Sequence, residues 1–178
     1  MENKKLEFKL IKNYILKKYG SDLVFKKNNE GKIIIENKEI NTIFFNMHKY
    51  LYFINLSYFL MNGEDLFDEE FRAYKNGSYL MALKQSGLYS NEQEFEKINE
   101  STKFIIEKTM DKLKSLSSAE LMEMNHTEIA WTKAKNFDYS FQTTISLKEM
   151  KERIVQMPMY KRYLNSLELP VESSILNV

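Results

Sequence analysis

The stretch at residues 41–63, NTIFFNMHKYLYFINLSYFLMNG, decides the fold of this chain. Its polar residues recur every seven positions and form one narrow stripe on a helix: Asn41, His48, Asn55 and Asn62. Asn41 suits the N-cap of this helix, and the Asn-Gly pair at its end suits a helix C-terminus. A helix that is apolar nearly all round is normally the buried centre of a bundle. The sequence therefore predicts a mainly α-helical fold around a central helix at about residues 41–62.

Length and composition indicate one domain. The chain has 178 residues, of which 43% are hydrophobic, and folding a chain of this size removes roughly 70% of its surface from water. We expect a single domain over residues 1–178, with an N-terminal helix and hairpin at 1–38, a core at 40–135 and C-terminal helices at 144–168. The absence of cysteine excludes disulfide scaffolds and thiolate metal sites. The net charge of +1 gives no general reason to bind nucleic acid.

The segments before and after the central helix predict smaller elements. Residues 6–19 carry apolar residues at helical spacing, and Gly20 is placed to end that helix. Two β-branched or apolar runs around a polar turn predict a small β-hairpin near residues 24–35. Residues 71–74 suit a short extended piece before an Asn-Gly turn at 76–77, and residues 78–85 suit a short helix.

The second half of the chain predicts further helices. Residues 101–116 place three apolar side chains on one helical face. The pairs Ser117/Glu120 and Ser146/Glu149 both fit the capping-box pattern, which predicts helices at about 118–125 and 147–156. Pro158 interrupts the last pattern, so a separate helical piece is expected at 159–167.

No targeting or membrane segment is expected. The first ten residues are charged at nearly every other position, unlike a signal peptide. The longest apolar stretch, residues 43–61, is interrupted by polar residues and by Lys49, which is costly at the centre of a membrane span. We expect a soluble, cytoplasmic protein with no membrane partner.

Catalytic patterns are sparse. His48 and His126 lack paired metal-binding spacing, and a lone histidine among apolar neighbours is usually a core residue bonded to backbone. An acidic cluster lies at residues 65–70 without calcium-loop spacing, which favours a solvated linker. A catalytic triad assembled in space stays open as an alternative. We expect no enzyme activity, no metal and no cofactor.

Two blocks of sequence resemble a known family. The first contains KYLYF at residues 49–53 and NGEDLFDEEFRAYKNG at 62–77. The second contains LSSAEL at 116–121, Asn125-His126, and AWTKA at 130–134. In this order they resemble the K-L-L-Y-F, T-G-x-P-L-F-x-E-x-F-x-A-W-x-Y-G-P and L-S-x-x-E-L-x-x-x-T-H-x-x-x-P-W-x-x-A motifs of the Panacea domain. That family is also called SocA-like or phage-associated GepA.

Three departures from those motifs bear on the turns and their aromatic neighbours. Tyr74 stands where the family has Trp, residues 76–78 read Asn-Gly-Ser instead of Tyr-Gly-Pro, and Ala130 replaces the Pro before Trp131. Losing both prolines leaves these turns with less restricted φ angles. The chain therefore resembles a divergent member.

The resemblance implies an interaction protein. Panacea-domain proteins commonly act as antitoxins that neutralise toxin proteins by direct contact, and one branch is a proteolytic adaptor. Others are carried by phages and mobile elements with no assigned role. The alternative expectation is therefore a phage- or element-borne protein, or a proteolytic adaptor, that binds another host protein. Dispersed basic residues and the lack of a legible helix-turn-helix argue against nucleic acid as a partner. A homo-oligomer stays open.

Candidate partner-binding residues come from the two blocks: Lys49, Arg72, Tyr74, His126 and Trp131. Lys49 and Arg72 are charged amid apolar sequence and must pair or reach solvent. For the aromatic residues of the blocks, including Tyr74 and Trp131, core packing is the leading interpretation. Trp131 is also placed to pack against His126.

Overall fold

The computed structural model describes residues 5–24, 37–88, 95–135 and 143–177. The described part is mainly helical, as the sequence predicts. Its helices are α1 (Phe8–Val24), α2 (Asn37–Asn62), α3 (Met81–Ser86), α4 (Glu100–Leu113), α5 (Ser118–His126), α6 (Ile129–Lys135), α7 (Lys151–Gln156) and α8 (Pro158–Ser166). Its strands are β1 (Phe71–Tyr74), β2 (Gly77–Leu80) and β3 (Thr144–Ile145). Short 3₁₀ turns lie at Phe95–Lys97, Lys148–Met150 and Val171–Ser173.

The central helix α2 forms the core. Every residue from 47 to 57 is buried, and the helix packs against α1, α4, α5 and β2. Its predicted polar stripe faces protein rather than solvent in its middle. Asn55 donates to Asp65 Oδ1 and accepts from the backbone N–H of Leu66, both at 2.8 Å, so it fixes the chain that leaves α2. The prediction of a buried central helix is confirmed.

The three strands form one antiparallel sheet in the order β2-β1-β3. Phe71 pairs with Leu80 and with Ile145, and the two-residue turn Lys75-Asn76 joins β1 to β2. The extended piece at 71–74 and the turn after it are confirmed. The predicted helix at 78–85 is wrong at its start, because residues 78–80 complete β2 and the helix begins at Met81.

Two predicted helix boundaries need correction. Helix α1 runs past Gly20 to Val24, because Gly20 does not have the positive φ of a helix-ending glycine. Helix α2 begins at Asn37, so Asn41 lies inside it and does not cap it. The hairpin predicted near residues 24–35 cannot include Val24, which is helical, and residues 25–35 lie outside the described residues.

Other boundaries agree with the sequence patterns. Ser117 and Glu120 form the predicted capping box at the start of α5. The C-terminal boundary does not agree: Thr144–Ile145 is strand β3, and the helix predicted at 147–156 begins only at Lys151, because the bond from the Glu149 N–H to Ser146 Oγ, 3.2 Å, opens a 3₁₀ turn at Lys148–Met150. Pro158 occupies the first turn of α8, where its missing N–H costs nothing. No helix in the described ranges combines the length and apolar character needed to cross a membrane.

Candidate functional site

The β1–β2 hairpin brings the two sequence blocks together. The first block supplies part of α2 and all of β1, and the second supplies α5 and α6. Helix α6 packs against β1, and α5 packs against β2. Lys49 and Asn125, which are 76 positions apart in the chain, therefore meet around one short hairpin.

Side chains from α2 and α5 seal the edge of β2 that faces away from β1. Ser78 donates its backbone N–H to Asn125 Oδ1, and its carbonyl oxygen accepts from Lys49 Nζ at 3.1 Å. Two residues later, the N–H of Leu80 donates to His48 Nδ1 at 3.0 Å. In an antiparallel strand, residues two apart direct their N–H and C=O groups to the same edge. The backbone groups of this edge therefore bond to side chains instead of to another strand.

Lys49 is buried at this edge, with only 1% of its surface exposed. Its ammonium group also lies 4.0 Å from the centroid of the Phe45 ring, at cation–π distance. Burial lowers the pKa of Lys49 to about 7. The sequence predicts that Lys49 must either pair or reach solvent. In the structure it pairs, with a backbone carbonyl in the core.

Gly77 allows Lys49 and Asn125 to approach the turn. Its φ is +104°, in the region that favours glycine. A Cβ atom at this position would lie 2.5 Å from Asn125 Oδ1 and 3.0 Å from Lys49 Cε. Only glycine leaves room here for both side chains.

His48 is a neutral core histidine. Its Nδ1 accepts a hydrogen bond and is therefore unprotonated. Burial, with a smaller contribution from the Lys49 charge, lowers the pKa of His48 to about 3. Its ring stacks on Tyr79 at 4.0 Å and meets Phe44 edge-on at 4.9 Å. This confirms the interpretation of His48 as a core residue bonded to backbone.

His126 and Trp131 stack beside the turn, as the sequence suggests. Their ring centroids are 4.3 Å apart and the planes are tilted by 21°. Trp131 is 6% exposed, whereas His126 is half-buried. Burial lowers the pKa of His126, opposed by a hydrogen bond with the Lys75 backbone. The stack therefore contacts the hairpin turn through the bond between His126 and the Lys75 backbone.

A buried carboxylate joins three helices behind the hairpin. Glu128, 3% exposed, accepts hydrogen bonds from the hydroxyls of Tyr52 in α2 and Tyr160 in α8. It also accepts from the N–H of Trp131 at 2.9 Å and so caps the first turn of α6. Burial, followed by the charge of Glu128, raises the pKa of both tyrosines, which keeps their hydroxyls protonated as donors.

The outward side of the hairpin carries Arg72, Tyr74 and Tyr79, all half-buried. Arg72 and Tyr79 are directly opposite each other in the two strands. The rings of Tyr74 and Tyr79 lie 4.7 Å apart, and the Tyr74 hydroxyl lies 3.4 Å from Met81 Sδ. Arg72 and Tyr74 thus lie at the surface, whereas Lys49 and Trp131 lie beneath it and His126 lies at its margin.

Sequence reasoning missed the residues that fasten these parts: Ser78, Tyr79, Asn125 and Glu128. Asn125 belongs to the second block, but nothing in the sequence pairs it with Ser78, 47 positions earlier. Glu128 had one signal, since an acidic residue before an apolar helix is favourable at a helix N-terminus.

Two acidic residues of the link after α2 have side-chain partners. Asp65 bonds to Asn55, and Asp68 forms a salt bridge with Lys5 at 2.8 Å. Across the described ranges, no three His, Asp or Glu side chains are grouped so that they could hold a metal ion.

No family model matches the chain, and no curated protein or solved structure is significantly similar to it.

Proposed function

We propose that the chain is an antitoxin-like binding module that neutralises a toxin protein by direct contact. The observation that carries this proposal is the meeting of the two blocks at the hairpin. Lys49 from the first block and Asn125 from the second bond to the same residue, Ser78, through its carbonyl and its N–H. Motifs that resemble one family thus build a single unit that holds a short sheet at the surface.

The buried ionisable groups of this unit have structural partners. His48 accepts a hydrogen bond from the Leu80 N–H, and Lys49 donates one to the Ser78 carbonyl. Glu128 accepts from two tyrosine hydroxyls and from a backbone N–H at the start of α6. A general base or nucleophile needs a reacting atom within hydrogen-bond reach. These three groups instead face protein atoms, which supports a binding role over a catalytic one.

Co-expression with the product of the adjacent gene tests the proposal. We expect the neighbouring protein to arrest growth when produced alone, and growth to recover when the chain is produced with it. The two proteins should co-purify as a complex. Asn125→Ala should weaken rescue because it loosens the hairpin, whereas Asn62→Ala, at an exposed amide on the same helix as Lys49, should rescue like the wild type.

The outcomes separate the alternatives. A harmless neighbour, or a toxic one that remains unbound, would contradict the antitoxin function. Rescue accompanied by loss of the neighbouring protein, and abolished in a protease-deficient host, would identify a proteolytic adaptor. Rescue with an undiminished amount of bound protein is the result expected for direct neutralisation.

A further inference from the structure

The outward residues of the hairpin form a distinct surface, which we call the outer hairpin face: Arg72, Tyr74, Lys75 and Tyr79. The alternate residues Phe71, Ala73, Ser78 and Leu80 are buried beneath it. Lys75 is exposed in the turn, and the other three members are half-buried. The face therefore presents two cations and two phenol rings on a rigid two-stranded support.

This part of the chain concentrates positive charge. Residues 71–86, FRAYKNGSYLMALKQS, contain Arg72, Lys75 and Lys84 and no acidic residue, in a chain whose net charge is +1. Lys84 follows Met81 by one helical turn, and Met81 contacts the Tyr74 hydroxyl. The acid that directly precedes β1, Glu70, is 3.5 Å from the Thr144 hydroxyl.

The three cations also lack the ion pairs that other lysines have. Lys5 pairs with Asp68 at 2.8 Å and Lys103 with Glu100 at 2.7 Å. Within the described parts of the chain, Arg72, Lys75 and Lys84 form no salt bridge. No described carboxylate therefore lies within salt-bridge distance of these cations, and charge complementarity favours an acidic partner.

The neighbouring groups suit carboxylate recognition. The Arg72 guanidinium can bind a carboxylate through two parallel hydrogen bonds. Directly across the strand pair, the ring of Tyr79 contacts the rings of His48 and Tyr74, with centroid distances of 4.0 and 4.7 Å. Tyrosine and arginine are enriched where binding energy concentrates at protein interfaces, and a ring that is already fixed loses little entropy on binding.

We infer that the outer hairpin face is the docking surface for an acidic segment of a protein partner, with Arg72 binding a carboxylate and the paired tyrosines contacting the flanking chain. The inference rests on the proposed function only in that the partner is a protein.

The test uses a random peptide library displayed on phage and selected against the full chain. We expect the enriched peptides to be rich in Asp and Glu. A synthetic peptide of the enriched sequence should bind the double variant Arg72→Glu/Lys75→Glu at least about tenfold more weakly than the wild type, or about 1.4 kcal/mol. The matched control, Lys112→Glu/Lys161→Glu, makes the same change in net charge at two exposed lysines elsewhere and should bind like the wild type. Lys75→Glu alone, in the exposed turn, should show a smaller loss in the same direction without a change in folding.

Several results would overturn the inference. One is no enrichment, or enrichment without acidic residues. Another is an equal loss of binding in the two double variants. Dissociation of a wild-type dimer by Arg72→Glu/Lys75→Glu would make the face a contact between two copies of the chain. A further such result is that the wild type prefers a single-stranded DNA oligonucleotide over the acidic peptides. If that binding is lost in the same variant, the cations of the outer hairpin face bind phosphate and not carboxylate.

The proposed function and this surface can fail separately. A toxin that is bound and neutralised equally well by Arg72→Glu/Lys75→Glu would overturn the docking surface and leave the antitoxin function intact. Acidic peptides that bind through the outer hairpin face, together with a neighbouring protein that is never bound, would overturn the antitoxin function alone.

Discussion

The ammonium group of Lys49 donates a hydrogen bond to the carbonyl oxygen of Ser78 across 3.1 Å of the protein core. Among the described residues its partners are this carbonyl and the face of the Phe45 ring, and no carboxylate there forms a salt bridge with it. A buried amine with so few partners favours its neutral form, because desolvation penalises the charged form. The attachment of the hairpin therefore depends on a group that titrates near neutral pH.

The first prediction is that the free energy of unfolding rises as the pH is raised from 7 to 9. The pKa of Lys49 is about 7 in the folded chain and about 10.5 when unfolded, so the unfolded state binds more protons in this window. We expect a gain of about 2 kcal/mol, measured by urea unfolding. Above about pH 10 the trend should reverse, because Tyr14 and Tyr19 have raised pKa values and stabilise the folded chain only while protonated.

Variants identify the group responsible. Lys49→Met should remove the rise between pH 7 and 9, whereas Lys112→Met, at an exposed position of α4, should retain it. An unchanged slope in Lys49→Met would contradict this assignment.

The second prediction concerns Asn125. Asn125→Ala removes the acceptor of the buried Ser78 N–H and should lower the free energy of unfolding by about 1–3 kcal/mol. Amide hydrogen exchange at Ser78 should accelerate more than exchange in the middle of α2. Asn62→Ala, which removes an exposed side-chain bond to Tyr58, is the control and should change stability little. Equal protection of Ser78 in both variants would show that the bond does not hold the hairpin.

The third prediction compares two glycines with positive φ. Gly77→Ala should destabilise the chain by about 3 kcal/mol or more, from backbone strain plus collision with Asn125 and Lys49. Gly87 also has positive φ, in a conformation essentially restricted to glycine, but nothing lies within 4 Å of a Cβ built there, so Gly87→Ala should cost only the backbone strain, about 1–3 kcal/mol. Chemical denaturation of the two variants measures the difference. Equal losses would mean that the space around Gly77 is not limiting.

The fourth prediction is that Glu128→Ala destabilises the chain by about 3–5 kcal/mol. The substitution leaves the Tyr52 and Tyr160 hydroxyls and the Trp131 N–H buried without their acceptor. Replacing both tyrosines by Phe in the Glu128→Ala background should recover part of the loss, because the unpaired hydroxyls are then gone. Glu123→Ala, at an exposed position of α5, should stay within about 0.5 kcal/mol of the wild type.

The sequence predicted best where local chemistry decides the structure. The apolar run of α2 has a single outcome, because a segment apolar on all sides must be buried. The Ser117/Glu120 capping box and the turn after Tyr74 also depend only on residues within a few positions of each other. These features were predicted correctly for that reason.

Predictions failed where tertiary contacts decide. Gly20 was expected to end α1, but the helix continues past it. Residues 78–80 have no strong local preference for a strand, and they become one because Lys49, Asn125 and His48 take up their outer backbone groups. Asn125 and Glu128 could not be assigned roles, since their partners lie in other elements. Lys49 was selected as a partner-binding candidate although it is buried, because its charge does not reveal burial, whereas the buried position of Trp131 agrees with core packing as its leading interpretation.

The sealed edge of β2 has a consequence for how a partner can bind. With the N–H and C=O of Ser78 and the N–H of Leu80 already taken, a foreign strand cannot extend the sheet at this edge. A partner at the hairpin must then be recognised by side chains of the outer hairpin face. The hairpin itself is held by other side chains, which point inward: His48, Lys49 and Asn125. Such a division allows the outward residues other than Tyr79, which stacks on His48, to change identity during evolution with little loss of stability. A chain built this way can acquire new partners by a few surface substitutions on an unchanged frame.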